Sequence, residues 1–208
     1  MPTTTVTKTR QVALLLFNDV EVLDFCGPFE VFSVTGQQES PRPFRVYTVA
    51  ERLATVTARN GLKVVPDFTL ADAPPADVLI VPGGQGTRRE MHNAALLAWI
   101  AERAAAAELI LSVCTGALLL AKANLLDGLR ATTHHGAIDL LRTTAPRTQV
   151  DANERVVDNG RIITSAGIAA GIDMSLYVVA RLLGQAQAEQ TARHMEYPWP
   201  RPNWQTGG

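Results

Sequence analysis

Two side chains could carry chemistry here, a thiol at Cys114 and a carboxylate at Asp24. Cys114 stands in Leu109-Ile110-Leu111-Ser112-Val113-Cys114-Thr115-Gly116-Ala117-Leu118-Leu119-Leu120-Ala121. An apolar run of strand length meets a cysteine, a small polar residue and a glycine, then continues as helix-favouring Ala/Leu sequence. The pattern predicts strand, sharp turn and helix, with Cys114 on the turn. That geometry lifts the sulfur above the carboxyl edge of a parallel sheet, against the unpaired N–H groups of the following helix. Such groups favour a thiolate, and so a nucleophile, over a thiol that otherwise titrates near pH ~8.5. Gly116 suits the tight turn because it lacks a Cβ. The competing reading is a buried structural cysteine, since free cysteine is among the most buried residue types.

Asp24 lies in Val22-Leu23-Asp24-Phe25-Cys26-Gly27-Pro28. Pro28 suits the first turn of a helix on which Phe29 and Phe32 share a face. Placed just before that helix, Asp24 is either its N-cap or a carboxylate projecting towards the same sheet edge as Cys114. Cys26 reads as packing. A third strand, in Ala76-Asp77-Val78-Leu79-Ile80-Val81, ends in Pro82-Gly83-Gly84. Adjacent glycines let backbone N–H groups face a ligand, which makes Gly83 and Gly84 candidates for an oxyanion site; a plain tight turn is the alternative. His134, in Thr132-Thr133-His134-His135, falls in a loop after a short strand, as a polar contact or a base near the sulfur.

The elements that must position these groups alternate strand and helix. Residues 1–10 are threonine-rich and without periodicity, and are expected to be disordered. Val12 to Phe17 form a continuous apolar run suited to a central parallel strand, and Phe44 to Ala50 a second strand. Asn60-Gly61 centres a hairpin over Val56 to Pro66, and Asn159-Gly160 joins two strands within Arg155 to Ser165. Helices are expected over Asn93 to Ala107, Ala137 to Arg142, Ile172 to Leu183 and Ala186 to Met195. Pro198, Pro200 and Pro202 end regular structure, leaving 198–208 as a tail. The result is one domain over 11–197, a doubly wound α/β sandwich with a largely parallel sheet and two added hairpins. Asp24, Gly84 and Cys114 then follow three different strands at their carboxyl edges.

At 208 residues the chain suits one α/β domain with a substantial core. Lysine plus arginine number 19 against 20 acidic residues, so no global field draws nucleic acid or an anionic membrane, and a small-molecule partner is expected. Two cysteines and the lack of an apolar signal core before Gln11 fit a reducing cytoplasm. The charge-free stretch from Leu109 to Ala121 is shorter than the roughly 18 residues a membrane-spanning helix needs.

Taken together, these segments resemble the DJ-1/PfpI superfamily, whose nucleophilic cysteine sits on a strained elbow of a flavodoxin-like, class I glutamine amidotransferase-like fold. The match runs from about Gln11 to Tyr197 and is most similar to the isocyanide (isonitrile) hydratases. It rests on Leu23-Asp24-Phe25-Cys26-Gly27-Pro28, Pro82-Gly83-Gly84, Ser112-Val113-Cys114-Thr115-Gly116, Arg130-Ala131-Thr132-Thr133-His134, Ala169-Ala170-Gly171-Ile172-Asp173 and Glu196-Tyr197. The resemblance implies Cys114 as nucleophile, Asp24 as its acid, and the N–H groups of Gly84 and Thr115 as an anion-stabilising cradle, with the Thr115 hydroxyl also in the site. The implied reaction is hydration of an isocyanide to an N-substituted formamide through a thioimidate, with no metal or organic cofactor.

The resemblance also implies a homodimer, to whose contact Val20, Val22 and Leu23 are candidates. Nearly the same segments occur in the N-terminal halves of AraC-type regulators, so a non-catalytic ligand or redox sensor is an alternative; a glyoxalase-like small-carbonyl hydratase is another. Two departures bear on the site. His135-Gly136 replaces the usual aromatic residue after Thr-Thr-His, and Thr115 stands where protease-like relatives place a histidine. No His-Pro-Glu occurs near the C-terminus, and His194 with Glu196 reads as helix-end packing.

Overall fold

Apolar runs without alternation become strands buried on both faces, and they set the layout of this computed structural model, which describes residues 8–199. The strands are β1 (Arg10–Leu15), β2 (Phe44–Ala50), β3 (Val56–Thr57), β4 (Lys63–Val64), β5 (Phe68–Thr69), β6 (Val78–Val81), β7 (Leu109–Val113), β8 (Arg130–Ala131), β9 (Gln149–Val150), β10 (Val156–Asp158) and β11 (Ile162–Ser165). The helices are α1 (Val22–Val34), α2 (Thr87–Glu90), α3 (Ala94–Ala106), α4 (Gly116–Lys122), α5 (Ile138–Thr144), α6 (Ala170–Leu183) and α7 (Gln185–His194).

The main sheet has seven strands in the order β10-β11-β7-β6-β1-β2-β5, and every pairing is parallel except β10 with β11. From β1 the chain moves to β2 on one side and, after β5, to β6 on the other. Right-handed crossovers in opposite directions place helices on opposite faces. Accordingly α1 contacts α6 and α7, while α4 contacts α3 and α5. This is the doubly wound, flavodoxin-like arrangement expected from the sequence, and its switch point lies between β1 and β6. The two Asn-Gly turns join β3 to β4 and β10 to β11 as antiparallel pairs, with Asn60 at φ 65° and Gly61 at φ 93°. At the second turn only Gly160, at φ 83°, takes positive φ.

Several boundaries differ from the sequence reading. The expected disordered start reaches too far. Thr9 Oγ1 donates to the Arg42 carbonyl at 2.7 Å, Lys8 pairs with Asp77, and Arg10 opens β1; residues 1–7 lie outside the described residues. In the expected tail, Trp199 packs against the core, while residues 200–208 are outside the described residues. Helix α1 begins at Val22, so Asp24 is in its first turn rather than before it, and Pro28 is internal. The helix tolerates that proline because it ends only one hydrogen bond, and its small ring packs closely on α6, with Pro28 Cγ 3.6 Å from where a Gly171 Cβ would stand. Val20, a candidate dimer contact, is fully buried, whereas Val22 and Leu23 are half-buried. His194 and Glu196 are both exposed and do not pack.

Candidate active site

The carboxyl ends of β1, β6 and β7 are adjacent in the sheet, so the segments that follow them meet. After β1, the Glu21 N–H donates to the Gly83 carbonyl at 2.9 Å, and Val20 forms an isolated bridge with Gly84. These bonds fix the start of α1 against the β6 loop, and thereby Asp24. After β7, Cys114 takes φ 57°, the left-handed elbow conformation that costs an L-residue about 1–3 kcal/mol. Its N–H lies 3.2 Å from both the Ser165 and Ala166 carbonyls, and its own carbonyl accepts from Thr133 Oγ1 at 2.8 Å. Surrounding bonds therefore hold the strained residue in place.

Gly116 is required for a reason beyond the turn. A Cβ there would lie 2.0 Å from the Val81 carbonyl oxygen at the end of β6. Backbone cannot move aside as a flexible side chain would. Gly116→Ala is expected to destabilise the fold by about 1–3 kcal/mol, read from chemical denaturation, because overpacking against the backbone at the end of β6 has no easy relief.

Asp24 is fully buried and is not the N-cap of α1. Its Oδ2 accepts from the Gly83 N–H at 3.0 Å, and Oδ1 has no aligned hydrogen-bond partner. Gly83 lets the three loops close, since a Cβ there would sit 2.4 Å from the Thr115 nitrogen and 2.9 Å from Asp24 Oδ2. Burial pushes the Asp24 carboxyl up to about 7, against the pull of the Gly83 N–H and of the Cys114 thiol beside it. Cys114 is 5% exposed, but the groups acting on its sulfur are polar: the Asp24 carboxyl and the N–H groups of Thr115 and Ile168.

The thiol is not acidified as the sequence suggested. Desolvation first, then the Asp24 charge, push it up to about 12, outweighing the two N–H groups that lower it. A helix terminus acts on the sulfur here against both its burial and the carboxylate opposite. The expected cradle also changes in one member. The Gly84 N–H donates to Thr115 Oγ1 at 2.9 Å, so it is Ile168, with Thr115, whose N–H serves the sulfur. Ile168 takes φ 58°, an outlier for a β-branched residue, which marks its backbone as constrained.

Around Thr115 a second set of bonds converges on the Gly84 carbonyl. Thr87 Oγ1 lies 2.8 Å from that oxygen, Thr115 Oγ1 3.1 Å and Arg88 Nη1 3.3 Å. Thr87 and Arg88 belong to the short α2, which lacks any periodicity that would announce it. His134 forms no hydrogen bond to Cys114 or Asp24; its Nδ1 accepts from the Gly136 N–H at 3.1 Å, which places the proton of the neutral ring on Nε2. The ring lies over Gly167, where a Cβ would approach Cδ2 to 2.2 Å. His134 thus borders the Ile168 loop as a neighbour of the site. Among the described residues no group of three or more His, Cys, Asp or Glu converges to hold a metal ion, and no helix is long and apolar enough to cross a membrane.

The DJ-1/PfpI family model matches residues 10–181. The chain belongs to the DJ-1/PfpI family. Two kinds of relative match it. It is 38% identical over 197 residues to the isonitrile hydratase of Pseudomonas putida, a match covering 95% of this chain and 82% of that one. It is 27% identical over 176 residues to the HTH-type transcriptional regulator GbdR of Pseudomonas aeruginosa, and there the match spans only 47% of the regulator. Among solved DJ-1/PfpI structures, a family protein from Pseudomonas syringae superposes with a TM-score of 0.83 at 34% identity, covering 100% of this chain and 86% of that one. Its relatives thus include both an enzyme and a transcriptional regulator, and the chemistry of this chain has to be argued from its own site.

Proposed function

We propose that this protein hydrates an isocyanide to an N-substituted formamide, with Cys114 as nucleophile and Asp24 as proton carrier. The observation that carries the reading is the buried Asp24 carboxyl, one oxygen unpartnered, beside a thiol on a strained elbow. The similarity to an isonitrile hydratase over 95% of the chain supports it. Sulfur attacks the terminal carbon, the S–C bond forms, and the Asp24 proton passes to that carbon, giving a thioimidate. Water then adds to the same carbon, one of its protons going to nitrogen. Collapse breaks the S–C bond, returns the remaining hydroxyl proton to Asp24 and releases the formamide. Atoms and charge balance without any other reactant.

The protonation of the pair gives a pH profile. Because the two groups face each other, the protons leave in two steps that belong to the pair. Below about 7 both groups hold their protons and sulfur is a thiol; above it one proton is gone, and the form with protonated acid and thiolate becomes accessible. With cyclohexyl isocyanide as substrate and formamide followed by chromatography, kcat/KM is expected to rise through pH about 7 and stay level through pH 9. A bell centred near neutrality, or no turnover, overturns the proposal. The kinship with GbdR favours a second reading, a sensor without turnover, which readily peroxide-oxidised Cys114 in a catalytically silent protein would support.

A further inference from the structure

We infer, on the hydratase reading, that Arg88, tied to the Gly84 and Thr115 loops beside Cys114, selects isocyanides whose N-substituent bears a carboxylate. Arg88 is half-buried, and its Nη1 rests on two neutral oxygens, the Gly84 carbonyl at 3.3 Å and Thr87 Oγ1 at 3.1 Å. Both of those oxygens lie within hydrogen-bond distance of the Thr115 hydroxyl, on the residue next to Cys114. The guanidinium is thus tied to the loop that bounds the sulfur.

Its charge is uncompensated. Among the described residues Arg88 forms no ion pair, whereas its neighbour Arg89 pairs with Asp19 and Glu90, and Arg59 pairs with Glu21 at 3.1 Å. Glu21 is already engaged by Arg59, which leaves Arg88 without a carboxylate of its own. A partly desolvated guanidinium gains most from an anion, and with Nη1 alone engaged it keeps a fork of N–H donors suited to a carboxylate. The isocyano carbon at Cys114 and an anionic group at Arg88 would then anchor the two ends of one substrate.

The test compares trans-4-isocyanocyclohexanecarboxylate with its primary carboxamide, a neutral isostere whose saturated ring insulates the isocyano group. In the wild-type protein kcat/KM for the carboxylate should exceed that for the amide at least tenfold, mainly through KM. In Arg88→Gln that ratio should fall towards one, and Arg88→Lys should keep part of it. Taking the ratio within each variant cancels any loss of folded protein. A wild-type ratio near one, or an unchanged ratio in Arg88→Gln, overturns the inference while turnover of the amide leaves the hydratase reading standing. Should neither isocyanide react, the hydratase reading falls, and calorimetric binding of the two corresponding formamides still decides the role of Arg88. Tighter binding of the carboxylate, lost in Arg88→Gln, upholds anion recognition, and equal binding refutes it.

Discussion

Cys114→Ser should leave less than about a thousandth of the wild-type kcat for isocyanide hydration, and Cys114→Ala no turnover above buffer. Serine keeps the elbow and nearly the volume of cysteine, so its effect reports on the attacking atom. An alcohol is less nucleophilic than a thiol and does not ionise in this environment, where burial already pushes even the thiol up to about 12. The variant should melt within a few degrees of the wild type, which separates lost chemistry from lost fold. Cys26→Ser is the matched control. Cys26 is half-buried, packs at the edge of the core and has no part in the mechanism, so its removal should leave kcat near that of the wild type. Activity in Cys114→Ser above a tenth of normal would mean that sulfur does not attack the substrate.

Asp24→Asn should lower kcat by about 10²–10⁴-fold, the usual range for a lost acid–base group, while raising stability at pH 8. The second effect follows from the direction of the shift. Burial lifts the Asp24 carboxyl from 3.8 to about 7 in the folded state, so the native protein holds a proton that the unfolded chain releases. Its contribution to stability is full below about 4 and is lost as pH rises towards 7. At pH 8 the wild type carries a buried carboxylate whose cost has an upper limit of about 4 kcal/mol, at about 1.36 kcal/mol per pH unit. Asparagine removes the charge and can still accept from the Gly83 N–H. Thermal denaturation should show the variant several degrees more stable at pH 8 and about equal to the wild type at pH 4. A variant less stable at both values would make Asp24 a structural group.

Much of this site was legible because its side-chain members interrupt apolar patterns. Cys114 ends a run that is buried throughout, Gly83 follows another, and Asp24 breaks a third segment that can only bury a carboxyl if something receives it. The Asn-Gly turns were equally readable, since few residues tolerate positive φ. What escaped was carried by backbone. The Ile168 N–H acts on both reactive groups, yet an isoleucine in sequence signals only packing. The four residues of α2 are too few to show a period, so nothing in the sequence marks Thr87 and Arg88. The elevated thiol was out of reach for a different reason: it depends first on burial by the folded core and then on a carboxylate 90 positions earlier in the chain, and no local pattern reports either.

The order β1-β6-β7 has a consequence for the life of the chain before it is complete. Residues 24, 83 and 114 are separated by long intervening stretches, and only the pairing of three central strands brings them together. A chain lacking those pairings does not bring together the pair proposed to react. While the strands are unpaired Cys114 is an ordinary cysteine, with no carboxyl set beside it and no N–H group of Ile168 aimed at its sulfur.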